Sequence, residues 1–516
     1  MIVSSSLLGM SSLLATSSLM APSSLMALPL ANLSLWTTPL WVLSLGTTAG
    51  LVLLAALWGV VSIANRKAAA DAATAVGESV LVWVLYAAAT VSAFGLLATP
   101  QMPYETVLES LQRLPNTGER TTSVVVPPRT VDEEVSFSLR ADEVVAYRIE
   151  SDQDLRVADV ADEAYTTPTA IVQGEEPYVW NTKSKLKRGL EDSVQTLYLT
   201  NESDAPANVS LSFTSEVLVP ETRQIPVVAL SLAGIFLAYV LVRWLAPGVS
   251  NIAAATAKEA AAQPIYLLML AGGALALFCF IYIPYNTFGE DVKMLKDSGL
   301  STIMVLAILF AVWTASVTIA DEIEGKTALT LLSKPISRRQ FILGKYLGIL
   351  WPVLLMFVLL GCVLMASISY KVVYDARETS NPTPEWQLCH AEMVGIAPGL
   401  VLAGLEVAVL AAISVAVSTR LPMLPNLLIV GAIYAVGHLT PLLVQSSIGE
   451  NPFVAFFGRL IAVVLPMLDH LNIQPAIAAG QAVPASYLLM ATLYSVLYCV
   501  VALLLALLLF EDRDLA

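Results

Sequence analysis

The sequence predicts a polytopic α-helical membrane protein of about nine transmembrane helices, with an inserted extracytoplasmic domain of β-sandwich type. Three observations predict it. Only 13% of the 516 residues are charged and 57% are hydrophobic, against about 25% charged in a soluble globular protein. The apolar residues gather in runs of about 20, the length that crosses a hydrocarbon core of about 30 Å. Between Pro100 and Arg223 those runs stop, and apolar residues alternate with polar ones, the period of a half-buried strand. A soluble enzyme, a transmembrane β-barrel and a disordered scaffold are excluded.

Residues 1–38 form a low-complexity Ser/Leu/Met/Ala segment without a cationic start, which argues against a cleavable signal peptide. Met10, Met20 and Met26 are alternative starts. Two spans, Leu40–Ile63 and Val80–Ala98, occupy residues 39–99. The insertion, 100–223, holds 22 Asp and Glu against 11 Lys and Arg, most of the formal charge of −14. Nothing in the chain is basic enough for nucleic acid. Val135, Phe137 and Leu139 alternate with polar residues, as do Val145, Tyr147 and Ile149, and Val209, Leu211 and Phe213. The runs flanking the polar segment Asn201–Asn208 read as a hairpin. Lys183, Lys185, Lys187 and Arg188 form a basic tip that reads as a solvated loop.

A third span, Ile225–Val242, lies in 224–246. Six more follow in 250–516: Ile265–Ile283, Leu300–Ala320, Tyr346–Ile368, Val394–Val417, Leu427–Val444 and Tyr487–Phe510. The apolar stretch Pro452–Leu468 is broken by Arg459 and Pro466 and reads as interfacial or re-entrant. Three of the four cysteines lie in apolar runs, where a thiol packs as a small hydrophobe. Cys389–His390 reads as a lone surface pair in a loop, since no second Cys or His stands near it to complete a metal site.

Orientation follows the distribution of Lys and Arg in short loops. The densest basic loop, 321–345, holds Lys326, Lys334, Arg338, Arg339 and Lys345 and is placed in the cytoplasm. Alternation then puts the C-terminus inside and residues 100–223 outside. Lys293 and Lys296 also fall outside, in the company of Glu290, Asp291 and Asp297.

That loop carries the most informative residues. Gly325-Lys326-Thr327 invites a phosphate-loop reading, but the glycine required five residues before the Gly-Lys pair is Ala320. Asp321, Glu322 and Glu324 would also repel a phosphate. The stretch instead suits a short surface helix with Leu329, Leu331 and Leu332 as apolar anchors, ended by Pro335. Ser337 is placed to cap a second helix starting at Arg338 and Arg339. From the physics alone, an ordinary basic cytoplasmic loop fits equally well.

Glu322-x-x-Gly325-x-Thr327, Leu331-Leu332, Lys334-Pro335-Ile336-Ser337-Arg338 and Gly344-Lys345 resemble the signature of type-2 ATP-binding-cassette exporter permeases, over about residues 250–516. The resemblance implies that 321–345 is a coupling loop docking on a separate ATPase subunit. Glu322, Glu324, Gly325, Thr327, Leu331, Pro335, Arg338, Arg339 and Lys345 would make that contact. It implies no cofactor on this chain, with ATP and magnesium bound by the ATPase, and a second permease as homo- or heterodimer partner. A bacterial plasma (inner) membrane is the expected location. Asn251–Gln263 would be an amphipathic helix before the first family span. Lys326 departs from the pattern, since many members have Gly and Thr adjacent.

Glu406 stands mid-span, where an ionised carboxylate costs at least about 2.5 kcal/mol. It reads either as a substrate-path or gating residue or as a neutral carboxyl bonded to a neighbouring helix. His438 is a weaker candidate of the same kind. The rival functions are a gradient-driven secondary transporter with Glu406 as proton carrier, and a receptor-like protein using the β domain. No visible internal repeat supports the former. An intramembrane protease has neither His-Glu-x-x-His nor Gly-x-Ser-x-Gly to support it.

Overall fold

A computed structural model of the chain describes residues 33–136, 143–161, 163–174, 176–182, 196–283, 290–320, 322, 337–379, 382–447, 456 and 464–511. The chain divides into two compact units, one of Thr99–Val227 and the other of the residues before and after that stretch.

The helical unit opens with α1 (Leu33–Ala64), α2 (Arg66–Gly77) and α3 (Leu81–Ala98). Asn65 ends one helix and begins the next, its side chain accepting the N–H groups of Lys67 and Ala68. α1 begins inside the segment read as low complexity. Tertiary contact overrides composition here, because Ser369 donates to the Trp36 carbonyl at 2.7 Å and Trp36 packs edge-on against Tyr370.

The second unit starts with α4 (Tyr104–Arg113) and continues as eight strands: β1 (Gly118–Val126), β2 (Thr130–Ser136), β3 (Val144–Ser151), β4 (Leu155–Ala158), β5 (Ala170–Val172), β6 (Tyr178–Asn181), β7 (Thr196–Asn201) and β8 (Ala207–Ser215). They form two four-stranded antiparallel sheets, ordered β1-β8-β3-β6 and β2-β7-β4-β5. One buried cluster joins them, drawing Tyr147, Ile149, Leu211 and Phe213 from the first sheet and Leu155, Val157, Leu197 and Leu199 from the second.

Two expectations are corrected in this unit. β7 and β8 are not a hairpin, since they belong to different sheets. The Asn201 side chain donates to the carbonyls of Ala205 and Pro127 and accepts from Ser203. This pins an arch that carries the chain between sheets, so both strands turn their apolar faces to one core. In β3, Val144 rather than Val145 is buried. A register shift between Val144 and Ala146 reverses the facing of the side chains there. Phe137, Leu139 and the basic tip at 183–188 lie outside the described residues.

The chain returns to helices with α5 (Gln224–Leu245), α6 (Pro247–Ala262), α7 (Pro264–Tyr282), α8 (Asp291–Ala315), α9 (Arg338–Glu378), α10 (Trp386–Val394), α11 (Ala397–Ser418), α12 (Met423–Ser447), α13 (Gln474–Ala478) and α14 (Ala485–Glu511). Among the described residues eight helical stretches are long and apolar enough to cross a membrane: α1, α3, α5, α7, α8, α9, α10 with α11, and α14. The eighth expected span falls on α12, whose apolar part, Met423–Leu439, is shorter than these eight. The protein is a polytopic helical membrane protein. Most of Pro452–Leu468 lies outside the described residues.

α8 and α11 are the most buried of these helices and supply much of the apolar core. α6 covers the expected amphipathic helix and runs closely along α9. Gly344 and Gly348 make that approach possible: a Cβ at Gly344 would meet Ile252 at 2.6 Å, and one at Gly348 would meet the Ala253 carbonyl at 2.9 Å. Their spacing is the small-residue interval that lets membrane helices touch backbone to side chain. α9 has 41 residues, about 60 Å at 1.5 Å per residue, so it overruns a hydrocarbon core of about 30 Å.

Candidate functional site

Of the nine residues expected to couple to a partner, Glu322, Arg338, Arg339 and Lys345 are described. Glu324, Gly325, Thr327, Leu331 and Pro335 lie outside the described residues. α8 continues into a π-helical turn, Ser316–Ala320, immediately before the 321–345 stretch. Such turns insert one residue into a helix and recur at functional positions. At the far side Ser337 caps α9 as its sequence implied. The Ser337 hydroxyl accepts the Gln340 N–H at 3.2 Å, and the Gln340 side chain accepts the Ser337 N–H at 3.1 Å, closing a capping box.

An ion pair joins the two ends of the stretch. Lys345 Nζ donates to Glu322 Oε1 at 2.6 Å. Lys345 is 4% exposed, and its ammonium also lies 5.6 Å from the Phe341 ring centre. A buried charge of this kind is stable only while its partner is present. Arg338 is committed elsewhere, donating to the Glu511 carbonyl at 2.9 Å with its guanidinium over Phe510. It thus offers a cation to the C-terminus of α14, where the helix dipole favours one. Phe341 stacks on Phe510 beside it. Arg339 is exposed.

A second polar centre was not foreseen. Asn426, fully buried near the start of α12, places Nδ2 at 2.9 Å from Ser316 Oγ, 2.8 Å from Ser414 Oγ and 2.9 Å from Ser418 Oγ. The amide has two hydrogens for three acceptors, so it is shared among them. The cluster ties the π-helical turn to α11 and α12. The available signal was Ser414 and Ser418, one helical turn apart on one face. Asn426 immediately precedes the expected span Leu427–Val444 and carries no signal by itself.

Glu406 and His438, read separately, are brought together. His438 Nε2 lies 3.5 Å from Glu406 Oε1 between α11 and α12. Glu406 is completely buried. The other ring nitrogen, His438 Nδ1, is 3.0 Å from the Tyr434 carbonyl, and the Tyr434 ring centre is 4.6 Å from that of His438.

The opposite ends of α8 and α9 carry further buried charge. Lys296 pairs with Glu392 instead of the neighbouring acids, while Lys293 does hold Glu290 at 2.6 Å. Lys371, 1% exposed, contacts Asp375 at 2.9 Å and Asp291 at 3.7 Å, and donates to the Ile281 carbonyl at 3.0 Å. Cys389 and His390 are not a surface loop pair. They lie buried in α10, with Cys389 packed in a cluster with Val372, Val373 and Trp36. Among the described residues no group of three or more His, Cys, Asp and Glu is placed to hold a metal.

The family described as ABC-2 family transporter protein matches residues 193–515. The match starts N-terminal to residue 250 and takes in β7, β8 and α5. No curated protein matches the chain.

Proposed function

The chain belongs to the ABC-2 transporter family, and from that premise we propose that it is the membrane-spanning permease subunit of an ATP-driven exporter. Its partner is an ATPase subunit that binds ATP and magnesium and docks on residues 321–345. The observation that carries the reading is the Lys345–Glu322 pair at 2.6 Å. It fastens the exit of α8 to the first turns of α9, so a force applied to the stretch between them moves both helices together. The capping box at Ser337 stiffens that attachment, because it holds the first turn of α9 against fraying.

On this reading ATP-driven closure of the ATPase tilts the α8–α9 pair, and a second permease completes the path as homo- or heterodimer partner. Substrate binding and ATP hydrolysis then bias one equilibrium between inward- and outward-facing states. The topology is the one drawn from the basic loops, with 321–345 and the C-terminus cytoplasmic and 100–223 extracytoplasmic in a bacterial plasma membrane. The Arg338–Glu511 bond supports it. The start of α9 and the end of α14 share a side only if an even number of crossings separates them, which on this reading counts α12 as a crossing with α9, α11 and α14.

The test is affinity purification of the full chain from native membranes in mild detergent, with mass spectrometry of what co-elutes. A stoichiometric Walker-motif ATPase is expected. It should be lost from the Glu322→Ala variant and from the variant carrying Arg338→Glu with Arg339→Glu, at unchanged membrane insertion. Arg339→Glu alone isolates an exposed residue with no packing role and should weaken capture about tenfold, or about 1.4 kcal/mol. Undiminished co-elution from all three variants removes the assignment.

A further inference from the structure

The lone pairs at the Glu406–His438 contact do not balance as drawn. A carbonyl has no hydrogen, so the 3.0 Å contact between His438 Nδ1 and the Tyr434 carbonyl requires Nδ1 to be the donor. In the neutral ring Nε2 then carries a lone pair, and Nε2 faces Glu406 Oε1 at 3.5 Å. An ionised carboxyl offers only acceptors. Among the described residues neither Glu406 oxygen has a hydrogen-bond donor, and neither does His438 Nε2. With the carboxyl ionised, two acceptor atoms, Oε1 and Nε2, therefore face each other in an apolar interior without a hydrogen between them.

We propose that Glu406 and His438 form an intramembrane proton-binding site holding one proton between Oε1 and Nε2. Binding takes the proton from hydronium and leaves a water molecule, and release reverses this; no other reactant is needed. With the proton on Oε1 the carboxyl donates to Nε2, every atom of the contact is satisfied, and the pair is neutral. A small rotation of the carboxyl closes 3.5 Å to hydrogen-bond distance. Without the proton, a buried carboxylate would face the ring's lone pair.

Among the described residues the surroundings leave the pair to itself. α11 carries no other acid or base, and α12 carries none besides His438. The charged residues of α8, α9 and α14 are confined to 291–297, to 338–345 and 371–378, and to Glu511. Asp469 and His470, on the turn packed against α11 and α12, are exposed. The other titratable groups that these elements carry are tyrosines and cysteines, among them Tyr434 beside the ring and Tyr346 and Cys499, which are bonded to each other at 3.3 Å near Ala408. They are neutral donors or acceptors and supply no counter-charge. The site requires only the helical fold and not the ATP-driven reading.

The experiment is infrared spectroscopy of the full chain in lipid nanodiscs from about pH 5 to 9, with nitrogen-15 resonances of the three histidines recorded in parallel. At neutral pH a protonated-carboxyl stretch is expected, lost in Glu406→Gln and shifted in His438→Gln, with His438 neutral. A carboxylate stretch together with a His438 imidazolium also leaves one proton in the site and supports it. Absence of any protonated-carboxyl stretch at neutral pH together with a neutral His438 in the wild-type protein overturns the proposal, and this reading depends on no variant folding.

Discussion

The two ends of α9 hold buried lysines in different ways. Lys371 has Asp375, Asp291 and the Ile281 carbonyl within reach, so its charge is shared among several acceptors. Lys345, almost as deeply buried, has a single carboxylate among the described residues, Glu322. Among the described residues the first is a redundant anchor and the second a single tie placed where the 321–345 stretch attaches. The contrast shows that a buried ion pair is most sensitive where it has no substitute. It also identifies the end of α9 that a partner can most readily shift.

The largest effect is therefore expected from Glu322→Ala. Removing one partner of a buried pair strands the other charge, at about 3–5 kcal/mol. Thermal unfolding of the full chain in detergent should fall accordingly, and Lys345→Met introduced in the same chain should recover most of the loss. A Glu322→Ala variant as stable as wild type would dissolve the distinction between the two ends.

Asn426→Ala sits next in order. Its three serine partners are on helices and can turn their hydroxyls back to carbonyls one turn earlier. Polar contacts between membrane helices average about 0.6 kcal/mol and reach about 1.7, and the same melting measurement should fall within that range. A loss as large as that of Glu322→Ala would make the Asn426 cluster, rather than the ion pair, the principal tie on the π-helical turn. Asp291→Asn is expected to cost less, about 0.5 kcal/mol or below, because Asp375 keeps Lys371 paired. A loss equal to that of Glu322→Ala would refute the redundancy.

What the sequence made legible follows the range of the interaction that decides it. The Ser337 cap and the strand faces around Tyr147 and Phe213 were readable, because a cap is settled within four residues and a strand face by alternation. The placing of β7 and β8 in different sheets was not, since the Asn201 contacts to Pro127 and Ala205 that shape the arch are partly long-range. Glu406 and His438 each stood out as polar residues in apolar runs, but their juxtaposition depends on how α11 and α12 rotate against each other. Asn426 and the serines around it are individually ordinary and acquire meaning only together. Cys389–His390 reads as a loop in the sequence because its short helix carries little periodicity of its own, and burial comes from the neighbours of α10.

The exposed limit of the same comparison lies in the β unit. The Asp152 carboxyl accepts from the Asn208 side chain at 2.7 Å and from the Asn208 backbone N–H at 2.7 Å. These bonds, the side-chain one foremost, hold its pKa below the ordinary value of 3.8. A depressed folded pKa means that the ionised form stabilises the fold. The contribution is complete above the ordinary value and is lost as pH falls through the lower folded one. Asp152 is solvated, so the effect should be the smallest of the series and confined to acid. Hydrogen exchange of peptides covering β3 and β8, corrected for intrinsic rates, should show protection in the wild type persisting to lower pH than in Asn208→Ala. That variant keeps the backbone donor and removes only the stronger contributor, so its acid limit should move upward, whereas Asp152→Ala, with no carboxyl to titrate, should lack this pH dependence altogether. Coincident profiles for wild type and Asn208→Ala would assign the depression to the backbone bond alone, and the ionised Asp152 would then owe nothing to the side chain of Asn208.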